Sequence, residues 1–452
     1  MKYKIIIYGC QMNKSDSERI AAVLENIGYQ PVNKPEQADL IIVNMCSVRQ
    51  SAVDRVYGLF SKSKIKNQKS KIQIKNKKII LTGCILPTDR KNLENKVDLI
   101  FNIKDLPILP KLLSEKGGIS LRPQLFSTSQ CNNYFSIPPL LTSPVSAYVP
   151  IMTGCNNFCA YCVVPYVRGE EISRPAQEII EEVKKLIKKG YKEIILLGQN
   201  VNRYRSPTNY EFNTNIRITN INFAKLLQLI NDLPGKFWLR FITSHPKDLS
   251  DELIEIMAKS EKITEYLHLP VQSGDDVILQ KMNRGYTVKD YKKLIGKIRD
   301  KIRMISISTD IIVGFPGETK KEFKQTVKLM KWAKFDMIYI AQYSPRPMTA
   351  ACQLKDDVIK KEKKRREQIL NRILEKTALK NNKKYINKTI EVLIEQTPHH
   401  CKFGMGQAKN DFCLGKTKTF KNVKIKDLKG SLRVGRFVKI KIIKATPWGL
   451  EG

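Results

Sequence analysis

The first hundred residues swing between two periods. Short continuous apolar runs, KYKIIIYG at residues 2–9, ADLIIVNMC at 38–46 and KKIILTGC at 77–84, have the length of strands buried on both faces. Between the first two, SDSERIAAVLENIGY repeats its apolar positions at helical spacing, with Ser15 and Asp16 as a cap-like opening and Gly28 as a stop. The pattern predicts an open α/β domain over residues 1–115. Residues 116–147, with scattered Pro, Ser and Gly, read as an irregular linker.

From residue 148 six more strand-like runs follow: AYVPIM, EIILLGQ, FWLRFIT, EYLHLP, ISISTDIIVG and MIYIAQY. Helical periodicity fills the gaps at 176–189, 222–232, 249–258, 287–300 and 319–333. Alternating βα units with nearly continuous apolar strands predict a parallel sheet covered by helices, here a partial (β/α)6 barrel. Such a barrel carries its chemistry at the C-terminal ends of its strands. A lysine-rich helix over 353–384 then leads into residues 381–447. There β-rich runs such as KTIEVLIEQ and RFVKIKIIKA alternate with glycine turns, as in a small antiparallel β-barrel.

Composition adds a partner. Among 452 residues, 80 Lys and Arg stand against 43 Asp and Glu, a formal net charge of +37. Either the whole composition is simply lysine-rich, or the chain is drawn to a polyanion, and nucleic acid is the commonest one. Residues 381–452 hold sixteen Lys and Arg against five Asp and Glu, with Phe403, Phe412 and Phe420 interspersed. Cationic strands with aromatic rings suit looped-out RNA bases, although in so small a domain some of those rings belong to the core. The stretch SKSKIKNQKSKIQIKNKK at 61–78, with eight lysines and no acid, reads as a solvated, mobile insertion, with an RNA-touching loop as the other reading. No run of eighteen apolar residues occurs and the amino-terminal apolar run is too short for a signal peptide, so the expectation is a cytoplasmic chain with no membrane partner.

Ten cysteines without any sign of export point to metal ligands or catalytic thiols rather than disulfides. Cys10, Cys46 and Cys84 each sit at the end of one of the three amino-terminal strands. Loops beyond the strand ends of an open α/β sheet share one edge, so these thiols can converge. Three unrelated buried thiols are the alternative. Cys155, Cys159 and Cys162 form a C-x3-C-x2-C loop, GCNNFCAYC, after the first barrel strand. A loop this short can ligate three irons of a [4Fe–4S] cube and leave the fourth open for the amino and carboxylate groups of S-adenosylmethionine, whose reduction yields a 5′-deoxyadenosyl radical. A zinc knuckle that borrows a distant ligand is the competing reading.

The triad and the stretches YGCQMNKSDSERI, NMCSVR, LTGC, CVVPYVRGEEISRP, LLGQNVN, RFITSHP, LHLPVQSG, STDIIVGFPGET and YSPRP resemble the radical S-adenosylmethionine methylthiotransferases over most of residues 1–350. YGCQMN and CVVPYVRGEEISRP are most similar to the MiaB-type branch. The resemblance implies methylthiolation of carbon 2 of N6-isopentenyladenosine at position 37 of tRNA, an anticodon-loop adenosine. S-adenosylmethionine would serve as both methyl donor and radical source, and the carboxy-terminal domain would be a TRAM-like RNA-binding barrel. It implies two [4Fe–4S] clusters, on Cys155, Cys159 and Cys162 and on Cys10, Cys46 and Cys84. Cofactor contacts are expected at Tyr161, Gly198, Gln199, Asn200, His268, Gln272, Ile312 and Gly314, and cofactor or substrate contacts at Arg168, Glu170 and Arg174. Buried polar groups satisfied within the protein are the other reading of Gln199 and His268, and His245 reads equally as a turn residue. An electron-donor protein and iron–sulfur carrier proteins are implied partners, and the chain is expected to be a monomer. Threonylcarbamoyl-adenosine tRNA and a ribosomal-protein aspartate are the alternative substrates, and a non-catalytic iron–sulfur RNA-binding protein is the alternative of another class. The basic stretch at 203–220, ILPTDRKNL after Cys84 and Met348 after YSPRP depart from the family pattern. Cys131, Cys352, Cys401 and Cys413 match no ligand position.

Overall fold

The computed structural model describes residues 1–60, 77–117, 134–211, 217–398, 412–427 and 430–452. Most of the 61–78 insertion, Cys131, Cys401 and Phe403 lie outside them. The chain forms two compact units: residues 1–142 with 163–169, and residues 143–162 with 170–452.

The first unit is built on a five-stranded, all-parallel sheet in the order Gln30–Pro31, Lys2–Tyr8, Leu40–Cys46, Lys78–Cys84, Leu99–Ile100. The predicted central strands are there, and Leu40–Cys46 is buried throughout, as a run apolar on both faces requires. Ile20, Leu24, Leu40 and Ile42 pack one face, and Ile41, Val43, Val56 and Leu81 the other. The helix after the first strand spans Gln11–Asn26, four residues earlier than Ser15 and Asp16 suggested as its opening. Cys10 is the N-cap and Asn13 closes the box, so Ser15 and Asp16 fall inside the helix and are fully buried. Their polarity serves contacts in the unit rather than a cap: Ser15 accepts from Arg19, and Asp16 pairs with Arg168. The helix stops where expected, before Gly28 at φ +89°. Tyr134, Phe135 and Ile137, in the stretch read as a linker, are buried in the core of this unit.

In the second unit the six predicted strands form two parallel three-stranded sheets. One holds Ser146–Pro150, Glu193–Leu197 and Trp238–Phe241; the other holds Tyr266–His268, Ser306–Val313 and Met337–Gln342. A parallel bridge between Leu239 and Ile263 joins the two runs, so the strands follow each other in chain order as a partial barrel does. Helices Ala176–Lys188, Phe223–Asn231, Asp251–Lys259, Val288–Lys301 and Lys320–Ala333 fall within two residues of the predicted spans. The lysine-rich helix starts at Lys360 rather than 353, because Ala350–Gln353 is a separate 3-10 turn.

The carboxy-terminal domain is a six-stranded sheet, antiparallel except where Asn422–Lys426 pairs in parallel with Gly449–Glu451. It packs against the N-terminal ends of the barrel strands. Trp238 meets Phe437 with ring centroids 5.0 Å apart, and Lys421 pairs with Asp336 at 2.6 Å. Phe420, in the turn after Phe412–Thr417, lies 4.2 Å from the guanidinium of Arg240. Arg240 and its partner Glu193, 2.8 Å away, are 0% and 1% exposed. Phe420 is therefore packed against the barrel, over Arg240 and beside Tyr266. No helix among the described residues is long and apolar enough to cross a membrane.

Candidate cluster and cofactor sites

The strand order of the first unit reverses between Lys2–Tyr8 and Leu40–Cys46. Ligands bind at that switch point, beyond the strand C-termini. Cys46 and Cys84 are direct register partners on neighbouring strands, and Cys10 caps the helix that leaves the third. The switch point thus lies among all three thiols. A hydrogen bond shared by Cys84 and Cys46 raises the first thiol and lowers the second. Burial pushes Cys10 up, and the nearby Cys84 adds to the rise. Asn13 anchors the loop: its side chain accepts from the Cys10 amide at 3.2 Å and donates to Asn44 at 2.7 Å. Two contacts were invisible in the sequence. Arg168 donates through Nε to Cys84 Sγ at 2.9 Å and through Nη2 to Asp16 at 2.6 Å.

In the second unit the C-x3-C-x2-C loop follows the first barrel strand and is fastened at several points. The Ala160 amide donates to Met282 O at 3.0 Å, and the Ala351 amide donates to Ala160 O at 2.7 Å. Asn283 donates to Phe158 O at 3.0 Å, which fixes a residue at φ +45°. The Cys162 amide donates to Cys159 O at 2.9 Å. Arg284, which no motif flagged, donates to Cys159 Sγ and to the Tyr161 hydroxyl, each at 3.3 Å, and to Pro270 O at 2.7 Å. Burial raises the Cys155 thiol; the Glu171–Arg203 pair, 3.2 Å apart, lies beside it.

Among the described residues no set of three His, Cys, Asp or Glu side chains is gathered to hold a metal ion as placed. A four-iron cube asks for something else: three thiolates, each on its own corner, with donors to the sulfurs. Each triad supplies three thiols and one buried arginine bonded to a sulfur. The donor chemistry fits the cube.

The expected cofactor residues divide. At the ends of the second and third barrel strands, Gln199 Oε1, Asn200 Oδ1, Ser244 Oγ and His245 Nε2 are buried without a partner. Buried polar atoms normally find one, so these are free for a bound group. Burial, with Arg284 next, pushes the His245 imidazole down to about 3, so it is neutral at physiological pH. Gly198 O accepts from Thr243 at 2.5 Å, and a Cβ there would meet Met152 at 2.6 Å. His268 is different: Nδ1 bonds Ser308 at 2.8 Å and Nε2 bonds Asp310 at 3.3 Å, so both ring nitrogens are satisfied within the protein. Gln272, at φ +72°, accepts through its carbonyl from the Ile312 amide. Gly314, at φ +70°, donates to Glu318 at 2.6 Å. Arg174 bonds Pro150 O and Glu182, and so ties the first strand to the first helix of the barrel. Glu170 is exposed.

Three family models match the chain: the Radical SAM superfamily over residues 149–330, the uncharacterized protein family UPF0004 over 2–102, and the TRAM domain over 383–452. Over its full length the chain is 40% identical to the tRNA-2-methylthio-N(6)-dimethylallyladenosine synthase of Clostridium novyi (strain NT), of which the match covers 96%. It is likewise 40% identical over its full length to the synthase of the same name from Caldicellulosiruptor saccharolyticus, covering 92% of that protein. The chain belongs to the MiaB-type methylthiotransferases. With that membership come S-adenosylmethionine and [4Fe–4S] clusters as cofactors. Among solved structures, the radical S-adenosylmethionine methyltransferase TsrM from Kitasatospora setae, with tryptophan and a cofactor analogue bound, superposes with a TM-score of 0.52. The match covers 78% of this methylthiotransferase and 75% of TsrM at 12% identity, a likeness of fold alone.

Proposed function

We infer that this chain methylthiolates carbon 2 of N6-isopentenyladenosine at position 37 of tRNA, using S-adenosylmethionine as methyl donor and as radical source. One observation carries the reading: a chain 40% identical end to end with synthases of that name carries two separate cysteine triads, each with an arginine on one of its sulfurs. Cys155, Cys159 and Cys162 hold one cluster, and Cys10, Cys46 and Cys84 hold the other. Bound there, the clusters would supply the electron for reductive cleavage of S-adenosylmethionine and would carry or donate the sulfur.

The chain's own residues do the rest. Asn283, Met282 and Ala351 fix the 155–162 loop so that its thiols keep their spacing. Arg284 offsets negative charge at Cys159 and holds Tyr161 beside it. Gln199, Asn200 and neutral His245 present unpaired buried atoms to the cofactor, while Gly198 and Gly314 make room for Met152 and Lys363. His268, bonded on both sides, orients Ser308 and Asp310 rather than the cofactor. The basic carboxy-terminal domain binds tRNA. An electron-donor protein and iron–sulfur carriers serve the chain, which works in the cytoplasm as a monomer.

Mass spectrometry of tRNA nucleosides from a strain lacking the gene tests this directly. Isopentenyladenosine should replace its methylthio form, the wild-type gene should restore it, and a Cys159→Ala copy should not. An unchanged ratio of the two nucleosides in the deletion strain refutes the substrate assignment.

A further inference from the structure

The segment that follows the second cysteine triad returns to the first unit. Val164–Arg168 forms a short helix, and Gly169 turns the chain away at φ +76°. The helix delivers Arg168, 3% exposed, to the Cys10, Cys46 and Cys84 site. A guanidinium cannot shed its charge, so burying one requires anions around it. Asp16, itself fully buried, supplies one. Arg168 spends its other bonded nitrogen, Nε, on the sulfur of Cys84. Its third nitrogen, Nη1, and the second oxygen of Asp16 are buried without a partner. A neutral thiol is a weak acceptor, and a thiolate ligand is a strong one. The arrangement suits a site whose occupied form is negative at sulfur and offers further acceptors.

We propose that Arg168 is the positioning residue of the Cys10, Cys46 and Cys84 site. Its guanidinium, fixed by Asp16, holds the Cys84 sulfur by a charge-assisted hydrogen bond. With a cluster bound, this bond favours the reduced state and slows the loss of iron. The proposal rests on the reading that these three thiols carry a [4Fe–4S] cluster. Hydrogen bonds to cluster sulfurs and nearby net charge set the potential, and partners beyond the ligands change metal retention about 10–100-fold when removed. Because 162 is a ligand position and 168 the donor, one short stretch of chain serves both triads.

The test uses the full chain with Cys155, Cys159 and Cys162 replaced by Ala, so that only the amino-terminal triad remains. Iron content, the midpoint potential followed by electron paramagnetic resonance, and the rate of iron release to a chelator are measured for this parent, Arg168→Met and Arg168→Lys. Arg168→Met should shift the midpoint to more negative values and release iron about 10–100-fold faster. Arg168→Lys keeps the charge but loses the planar fork. It should recover part of the midpoint shift and little of the retention. A parent that binds no iron overturns the cluster assignment and the proposal with it. A parent that binds iron, with midpoint and release indifferent to Arg168→Met, overturns the proposal alone. If Arg168→Met fails to fold, judged by circular dichroism, a Lys variant with the parent's release rate overturns it equally.

Discussion

Gly83 shows how much a single residue decides at the amino-terminal site. It sits one position before Cys84 at φ +111°, and a Cβ there would lie 2.2 Å from the carbonyl oxygen of Met45 and 2.5 Å from Asn44 Oδ1. Gly83→Ala therefore strains the backbone by about 1–3 kcal/mol and pushes apart the strand ends that carry Cys46 and Cys84. Reconstituted protein should fall from about eight irons per chain toward about four, read by iron and sulfide analysis alongside the urea midpoint. The strand-end places of Cys10, Cys46 and Cys84 and the tight spacing of the second triad were legible because both are local signals. Arg168 and Arg284 were not, since their sulfur partners lie 84 and 125 positions away along the chain. Ser15 and Asp16 looked like caps because caps and buried polar partners draw on the same residue types. His268 had two readings in the sequence, and its hydrogen bonds favour the satisfied one.

Among the elements, helix Lys360–Lys383 packs against the turn that follows strand Ser306–Val313. Arg366 reaches from it to Glu318 at 2.6 Å, and Glu318 accepts the Gly314 amide, so the helix braces the 314–318 turn. Lys363 lies under the same turn, where a Cβ on Gly314 would meet its stem at 2.4 Å. Arg366→Met should cost about 3–5 kcal/mol near neutral pH by leaving a buried carboxylate unpaired. Burial already raises the Glu318 carboxyl above its ordinary 4.5, and the variant raises it further. A raised folded-state carboxyl keeps its stability at low pH and loses it as pH rises. The gap between variant and wild type should accordingly narrow from pH 8 to pH 5 in urea melts; a constant gap would refute the assignment. The sequence showed the long barrel helices well, since each runs several turns with one apolar face. The short helix Asp276–Lys281 was missed, being too brief for a period to emerge.

At the scale of the whole molecule, charge and architecture meet in the carboxy-terminal domain. Burial alternates along Asn422–Lys426, which leaves Lys424 and Lys426 exposed beside each other on one face. If they meet phosphates, Lys424→Gln with Lys426→Gln should weaken tRNA binding for all sequences alike. The slope of log K against log salt should drop by about 0.7 for each phosphate no longer neutralised, measured by filter binding between low and moderate salt. A slope that does not move excludes this face. Net charge pointed to the polyanion without saying where it binds, and two of the three phenylalanines bear on that. Phe420 is committed to Arg240, while Phe412 lies under Lys424 at 3.8 Å. The alternating β pattern foretold a β-domain at this end of the chain. It could not foretell that a turn of that domain covers a buried ion pair of the barrel.

That covering turn has a consequence for how the chain is made. Arg240 and Glu193 leave the ribosome long before Phe420 does, on the order of ten seconds at ~5–20 residues per second. Throughout that interval the Arg240–Glu193 pair lacks the ring of Phe420 that covers it in the folded chain. Order of synthesis thus makes the packing of that end of the barrel wait for the carboxy-terminal domain.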